Sequence, residues 1–149
     1  MMLGFHPFAE YFGMEITTVP FPPLSKMAFQ VGLFFLFEDF YHYWAHRLLH
    51  HGAWYKHIHK VHHEFAAPFG IAAEYAHPLE TLILGMGTIG GPILWVCLTA
   101  DLHIITVLAW ITFRLIQTID AHSGYDFPWV RAYIPPFVTL VPLPLFSFP

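Results

Sequence analysis

Residues 81–100, twenty in a row without a charged side chain, constrain the fold of this chain more than any other feature. A helix of about 20 apolar residues crosses the hydrocarbon core of a bilayer, where every backbone polar group must be bonded within the segment. The two glycines and the proline at 90–92 predict a kink or a short re-entrant hairpin there. Residues 102–113 form a second, shorter apolar run, so the two runs predict a helical hairpin that turns near Asp101.

The composition also indicates a membrane protein. The chain has 149 residues, of which 56% are hydrophobic and 11% are charged, whereas about a quarter of the residues of a soluble domain are charged. We therefore predict an all-α, membrane-embedded helical bundle. The net charge of −4 and the lack of a basic run interleaved with aromatic residues argue against nucleic acid as a partner. The single cysteine, Cys97, excludes a disulfide framework or a cysteine-based metal site within one chain.

The sequence divides into three regions. Residues 1–23 are aromatic and interrupted by prolines, which predicts an irregular N-terminal segment. Residues 24–131 contain the predicted membrane domain. Residues 132–149 form an uncharged, proline-rich tail.

The membrane domain begins with a long helix, predicted from Met27 to His50 or His51 and stopped by Gly52. Its first half is apolar and its second half polar, so we expect the helix to leave the bilayer and carry histidines into the adjacent aqueous region. Residues 54–64 have helical character but are too polar to span a membrane. Basic residues prefer cytoplasmic loops, and the four that flank this region predict cytosolic helical extensions: Lys26, Arg47, Lys56 and Lys60.

Histidine is concentrated in one part of the chain, with nine of the twelve in residues 42–77. The first cluster has the pattern HxxxH, which places two imidazoles on one helix face with about 5–6 Å between Cβ atoms, close enough to bind one metal. The second cluster, HxxHH, offers the same geometry at spacings of three and four. Imidazole-rich sites without thiolates suit zinc, copper, iron or nickel, so the composition leaves the metal open. The predicted ligands are His42 and His46 in the first cluster and His59, His62 and His63 in the second.

Further candidates lie just outside the predicted spans. If the hairpin returns both ends to one side of the membrane, His77 and His122 face the two clusters and become candidate metal ligands. Four carboxylates lie two to four residues before a histidine. Each could orient an imidazole by accepting from the ring nitrogen that does not bind the metal: Glu38, Asp39, Glu74 and Asp120. We interpret His50, His51 and His57 as solvated or supporting residues, and His6 and His103 as structural. Gly87 and Gly91 have the GxxxG spacing of close helix packing.

Four segments together resemble the C-4 methylsterol oxidases of the sterol desaturase and fatty acid hydroxylase superfamily. They are His42-Tyr-Trp-Ala-His46, residues 55–70 around His59-Lys-Val-His62-His63, Glu74-Tyr-Ala-His77-Pro-Leu-Glu80-Thr, and Asp120-Ala-His122-Ser-Gly-Tyr-Asp126. The resemblance covers roughly residues 34–129.

The resemblance implies a specific chemistry. It implies two irons held by histidines, matched here by the two clusters, and oxidation of a sterol C-4 methyl group through alcohol and aldehyde to acid with O2. The implied electrons come from NAD(P)H through cytochrome b5 or a similar electron-transfer protein. The implied location is the endoplasmic reticulum membrane, with the histidines facing the cytosol and a sterol C-4 demethylation complex as a possible partner.

The sequence departs from the family at its C-terminal side. Members have a third HxxHH cluster after the segment that matches 120–126, whereas here Arg131 leads into the proline-rich tail. One alternative is therefore a truncated, non-catalytic membrane protein of the same family. A sterol C-5 desaturase or a fatty acid hydroxylase would share the two clusters, and a zinc-dependent hydrolase is disfavoured because neither cluster carries an HExxH glutamate.

Overall fold

A computed structural model of the chain describes residues 11, 13–14, 21–65 and 69–125. Within these ranges the chain is helical and contains no β-strand, which confirms the all-α prediction there. The elements are α1 (Leu24–Leu49), α2 (Gly52–His57), two 3₁₀ helices (His59–Glu64 and Gly70–Glu74), α3 (Pro78–Thr99) and α4 (Ile104–Ala121). The predicted tail at 132–149 and most of the predicted N-terminal segment lie outside the described residues.

Helix α1 begins directly after Pro23, where the proline run ends, and continues for 26 residues because no further proline interrupts it. Its C-terminal cap is His50, whose backbone N–H donates to the His46 carbonyl at 3.0 Å. Gly52, predicted as the stop, instead begins α2. Its φ of +50° is a conformation that glycine adopts without steric cost, so it lets the chain reverse between the two helices.

Helix α3 is continuous from Pro78 to Thr99, with Pro92 in its interior. The predicted re-entrant hairpin at 90–92 is therefore wrong. Packing against α1 explains the continuity, because the position of a Cβ on Gly87 lies 2.6 Å from the Tyr41 ring and that on Gly91 lies 3.4 Å from Phe34. Two bare glycines thus allow the close approach that the GxxxG spacing predicts, and this packing supports the helix despite one missing N–H.

The predicted hairpin between the two apolar helices is present. Asp101 lies at its turn, where its side chain pairs with Lys26 and its carbonyl accepts hydrogen bonds from Gln30 and Trp95, both at 2.9 Å. His103 caps α4 by accepting from the Ile105 N–H at 3.1 Å, in agreement with a structural role. Helix α4 continues well past the predicted end at residue 113 and stops at Ala121.

Helices α1, α3 and α4 pack as a three-helix bundle. Trp110 of α4 is fully buried, lies edge-on to the rings of Phe34 and Phe35, and donates to the Thr88 carbonyl of α3 at 2.8 Å. Because α3 runs antiparallel to the other two helices, the C-terminal ends of α1 and α4 meet the N-terminal end of α3. All histidines in the described residues except His103 lie at this end of the bundle, which we call its polar end.

Helices α3 and α4 are each long and apolar enough to cross a membrane, with mean hydropathies of 1.8 and 1.5. About a fifth of each span is buried inside the chain (22% and 17%). Most of their apolar surface therefore faces outward, as expected for helices in contact with lipid.

Candidate metal centre

Four imidazoles converge at the polar end of the bundle. His46 comes from the last turn of α1 and His50 caps that helix, whereas His59 and His63 come from the first 3₁₀ helix. The Nε2 atom of His59 lies 3.0 Å from the Nε2 atom of each of the other three, and one ring nitrogen from each residue falls within 4.8 Å of all the others. We call this group the four-histidine cluster.

Local helical geometry supplies each half of the cluster. His46 and His50 are one turn apart on α1 and present their rings on the same face, with ring centroids 4.7 Å apart. The chain then reverses through α2 and returns His59, which is fully buried, against both of them. The ring of Tyr55 stacks on His50 at 5.9 Å and lines the outer side of the cluster.

Hydrogen bonding alone cannot account for this arrangement. The Nδ1 atom of His59 lies 2.6 Å from Oε1 of Glu80, so Nδ1–H donates to the carboxylate and Nε2 presents a single lone pair. One lone pair cannot accept good hydrogen bonds from three imidazoles at 3.0 Å. Four nitrogens around a metal at about 2.0–2.1 Å would lie about 3.4 Å apart in a tetrahedron. Here the three distances to His59 are 3.0 Å and the remaining pairs lie within 4.8 Å, so small ring movements would bring all four to that spacing. The donor set therefore fits a metal ion.

Protonation favours the same conclusion. Burial, reinforced by the neighbouring imidazole of His59, lowers the pKa of His46 to about 3. Burial and the same neighbour also lower the pKa values of His50 and His63. These imidazoles are therefore neutral near pH 7, which is the form that binds a metal.

A second group of imidazoles lies beside the first. The Nε2 atoms of His62 and His122 are 3.2 Å apart. The Nδ1 of His62 lies 3.1 Å from the Tyr75 carbonyl, and the Nδ1 of His122 lies 2.9 Å from the Thr118 carbonyl. Because a carbonyl can only accept, both Nδ1 atoms donate and both Nε2 atoms direct lone pairs at one another. That pairing is repulsive unless a proton or a metal ion lies between the two rings.

His42 lines the same cavity as His62 and His122, and its ring lies beside Glu38 and His46. Its Nδ1 lies 3.4 Å from Oε1 of Glu38, and its ring centroid lies 5.5 Å from that of His46. Glu38 is 1% exposed and accepts from Nη2 of Arg114 at 2.6 Å. Arg114 of α4 thus fixes the carboxylate that faces His42 of α1. We call His42, His62 and His122 the three-histidine group.

A cavity of about 360 Å³ opens between α1, α3 and α4 beside both groups. His42, His46, His62 and His122 line its polar end. Charged residues lie near that end: Glu38, Glu74, Glu80 and Arg114. An apolar part of the wall extends along the helices past Leu84, Ile89, Ile111 and Leu115, and the hydroxyls of Thr81, Thr88 and Thr118 also line the cavity. An apolar molecule could therefore lie along the helices with one end at the imidazoles.

The predicted site residues are distributed unevenly. His46, His59 and His63 lie in the four-histidine cluster, His62 and His122 pair beside it, and His42 lines the same cavity. His77 is not part of the four-histidine cluster, because its Nδ1 caps α3 by accepting from the Leu79 N–H at 3.2 Å.

Of the four predicted orienting carboxylates, Glu38 faces His42, and Asp39 is its half-buried neighbour. Glu74 is exposed at the cavity rim. Asp120 accepts through its backbone carbonyl from Ser123.

Sequence reasoning misses three residues of the site. It interprets His50 as solvated or supporting, although this residue extends the i, i+4 series of His42 and His46 by one more turn. In the sequence, Glu80 stands out only as part of a motif and Arg114 only as the end of an apolar run. Both residues could have been found from one feature of the sequence: each is a charged residue beside or inside a long apolar helix. Such residues usually face the protein interior and not the lipid.

Comparison with known proteins places these motifs in context. The sequence profile described as fatty acid hydroxylase matches residues 31–140. The chain is 57% identical over 133 residues to methylsterol monooxygenase erg25B of Aspergillus fumigatus, covering 89% of this chain and 45% of that protein. It is 57% identical over 125 residues to C-4 methylsterol oxidase erg25 of Schizosaccharomyces pombe, covering 84% and 41%. With methylsterol monooxygenase 2-1 of Arabidopsis thaliana the identity is 45% over 129 residues, covering 87% and 45%.

These matches confirm the resemblance drawn from the four sequence motifs. The chain spans somewhat less than half the length of these curated relatives. No solved structure matches it.

Proposed function

Because the chain belongs to the fatty acid hydroxylase family, we propose that it is a membrane di-iron oxidase that uses O2 to oxidise the C-4 methyl group of sterol precursors. The observation that carries the proposal is the position of two imidazole groups at the polar end of an apolar cavity. Relatives that share more than half of their aligned residues with this chain are named as methylsterol monooxygenases. Those names support a sterol as the substrate.

Two metal positions follow from the two groups. His46, His50, His59 and His63 would hold one iron, and His42, His62 and His122 would hold the other. Bound iron would supply the O2 activation that an unreactive methyl group requires. The three-histidine group provides fewer protein ligands and lines the cavity, so it leaves room for a further ligand on the side where substrate would lie.

The remaining residues of the site bind and orient. Arg114 and Glu38 fix the ring of His42, and the carbonyls of Tyr75 and Thr118 fix the rings of His62 and His122. The apolar wall would hold the fused rings of a sterol and exclude water from the reacting end. Thr81, Thr88 and Thr118 line the cavity and carry hydroxyl groups available to a polar substituent.

We further propose an endoplasmic reticulum location with the histidine end in the cytosol. The two candidate spans and the basic residues around the histidine clusters support this orientation. A cytosolic site would be accessible to electrons from NAD(P)H through cytochrome b5 or a similar carrier. It would also be accessible to other members of a sterol C-4 demethylation complex.

Reconstitution tests the function. The chain is purified in detergent, loaded anaerobically with ferrous iron, and placed in nanodiscs with a 4,4-dimethylsterol, NADPH, cytochrome b5 and its reductase. We expect two coupled irons per chain by Mössbauer spectroscopy, together with C-4 hydroxymethyl and carboxyl products by mass spectrometry.

Matched variants give the control. Replacement of His46 by alanine should abolish product and lower the iron content, whereas replacement of the exposed His57 should change neither. Product formed equally well by the His46 variant, or a chain that holds two irons yet oxidises only a fatty acid, would contradict the proposal.

A further inference from the structure

Glu80 is a buried carboxylate in direct contact with the four-histidine cluster. It is the third residue of α3, its exposed fraction is 1%, and its Oε1 lies 2.6 Å from Nδ1 of His59. His59 is itself fully buried and is the member of the cluster whose Nε2 contacts the Nε2 atoms of the other three.

The geometry points to Glu80 as a positioning residue for the metal: it fixes the tautomer and orientation of His59. This inference rests on the metal centre of the proposed function. With Nδ1–H donating to the carboxylate, His59 must carry its lone pair on Nε2, which is the atom directed at the other imidazoles.

The charge of Glu80 supports the assignment. A buried carboxylate is costly unless it is paired, and the other oxygen, Oε2, is buried without a hydrogen-bond partner among the described residues. A neutral imidazole compensates little of that charge. A metal cation bound to Nε2, on the far side of the same ring, would compensate the charge of the carboxylate. The carboxylate would in turn make His59 a stronger metal ligand.

The position of Glu80 at the start of α3 explains how the contact arises. A carboxylate in the first turn of a helix is stabilised by the helix dipole, and the His77 cap holds that turn in place. α3 packs along α1, and Tyr41 of α1 donates to the carbonyl of Ile83, three residues after Glu80. Glu80 therefore links the apolar hairpin to the metal centre.

The test is cobalt binding by the purified chain, since Co²⁺ reports its coordination through visible absorption bands without turnover. Affinity is measured by competition with a chromogenic chelator. We expect Glu80→Gln, which keeps the shape and removes the charge, to weaken cobalt binding by about 10–100-fold and to alter the visible spectrum. Glu80→Asp keeps the negative charge on a side chain that is one methylene shorter. This variant should bind cobalt more tightly than Glu80→Gln.

A double-mutant cycle separates positioning from a general structural effect. If Glu80 acts through His59, then adding Glu80→Gln to His59→Ala should change the cobalt affinity by no more than about twofold. The control is Asp101→Asn, which removes the charge of a half-exposed carboxylate at the opposite end of the bundle and should leave cobalt affinity unchanged. Circular dichroism of each metal-free variant reports its fold.

The inference is overturned if Glu80→Gln binds cobalt like the parent chain, if the two substitutions are additive, if Glu80→Asp binds more weakly than Glu80→Gln, or if the parent chain binds no cobalt. No sterol enters this experiment. A chain whose cobalt affinity depends on Glu80 but which oxidises no sterol would refute the proposed activity and leave the role of Glu80 intact.

Discussion

The Arg114–Glu38 pair should be the most sensitive polar contact in the helical bundle. Its two charges are 2.6 Å apart at the closest atoms, and the exposed fractions of the side chains are 16% and 1%. At the opposite end, the Lys26–Asp101 pair has fractions of 38% and 48%. The two pairs have similar chemistry and differ mainly in burial, so they form a matched comparison.

Burial sets the expected magnitudes. Two unit charges about 4 Å apart interact by about 4 kcal/mol at an effective dielectric constant of 20 and by about 1 kcal/mol in bulk water. Removing one partner of a buried pair costs about 3–5 kcal/mol, because the remaining charge is left without compensation. We therefore expect Arg114→Met to lower the free energy of unfolding by about 3 kcal/mol or more and Lys26→Met by about 0–1 kcal/mol.

The assay is reversible unfolding of the chain in mixed micelles of increasing SDS content, followed by far-UV circular dichroism. The double variant Glu38→Gln with Arg114→Met should recover much of the loss, since no buried charge then remains unpaired. Equal destabilisation by Arg114→Met and Lys26→Met would refute the argument from burial. So would a double variant that is no more stable than Arg114→Met alone.

Three further predictions use the same unfolding assay. Gly87→Ala should destabilise the bundle by about 1–3 kcal/mol because its Cβ would lie 2.6 Å from the Tyr41 ring. The control Gly85→Ala, with no atom within 4 Å of its Cβ, should be neutral or stabilising. Similar effects of the two substitutions would contradict the close packing of α3 against α1. Trp110→Phe should cost about 1–3 kcal/mol, since it leaves the partly buried Thr88 carbonyl without its donor, and an unchanged midpoint would show that this hydrogen bond is dispensable. Saturation with metal at about 100 times its dissociation constant should stabilise the chain by about 2.7 kcal/mol, and this gain should disappear in His59→Ala but persist in His57→Ala.

Local chemistry made much of the fold predictable. Two uncharged runs separated by Asp101 are enough to predict a helical hairpin, because a chain in lipid must satisfy its backbone within each helix. The HxxxH pattern is equally local, since residues four apart share a helix face whatever else the chain does. The re-entrant hairpin predicted at 90–92 failed because it relied on glycine and proline propensities, whereas packing of α3 against Phe34 and Tyr41 favours a continuous helix.

The assembly of the site depended on contacts far apart in sequence. Spacing could show that His46 and His59 each belong to a metal-binding pattern, but it could not show that they meet at 3.0 Å or that His50 joins them. Glu80 reaches His59, and Arg114 reaches Glu38, only because three helices pack with their ends in register. The sequence alone thus determined the helices and most of the candidate ligands, since these follow from short-range periodicity and composition, and its motifs resemble those of the family. Only the tertiary structure decided which imidazoles converge and which buried carboxylates orient them, because those contacts depend on how the helices pack against one another.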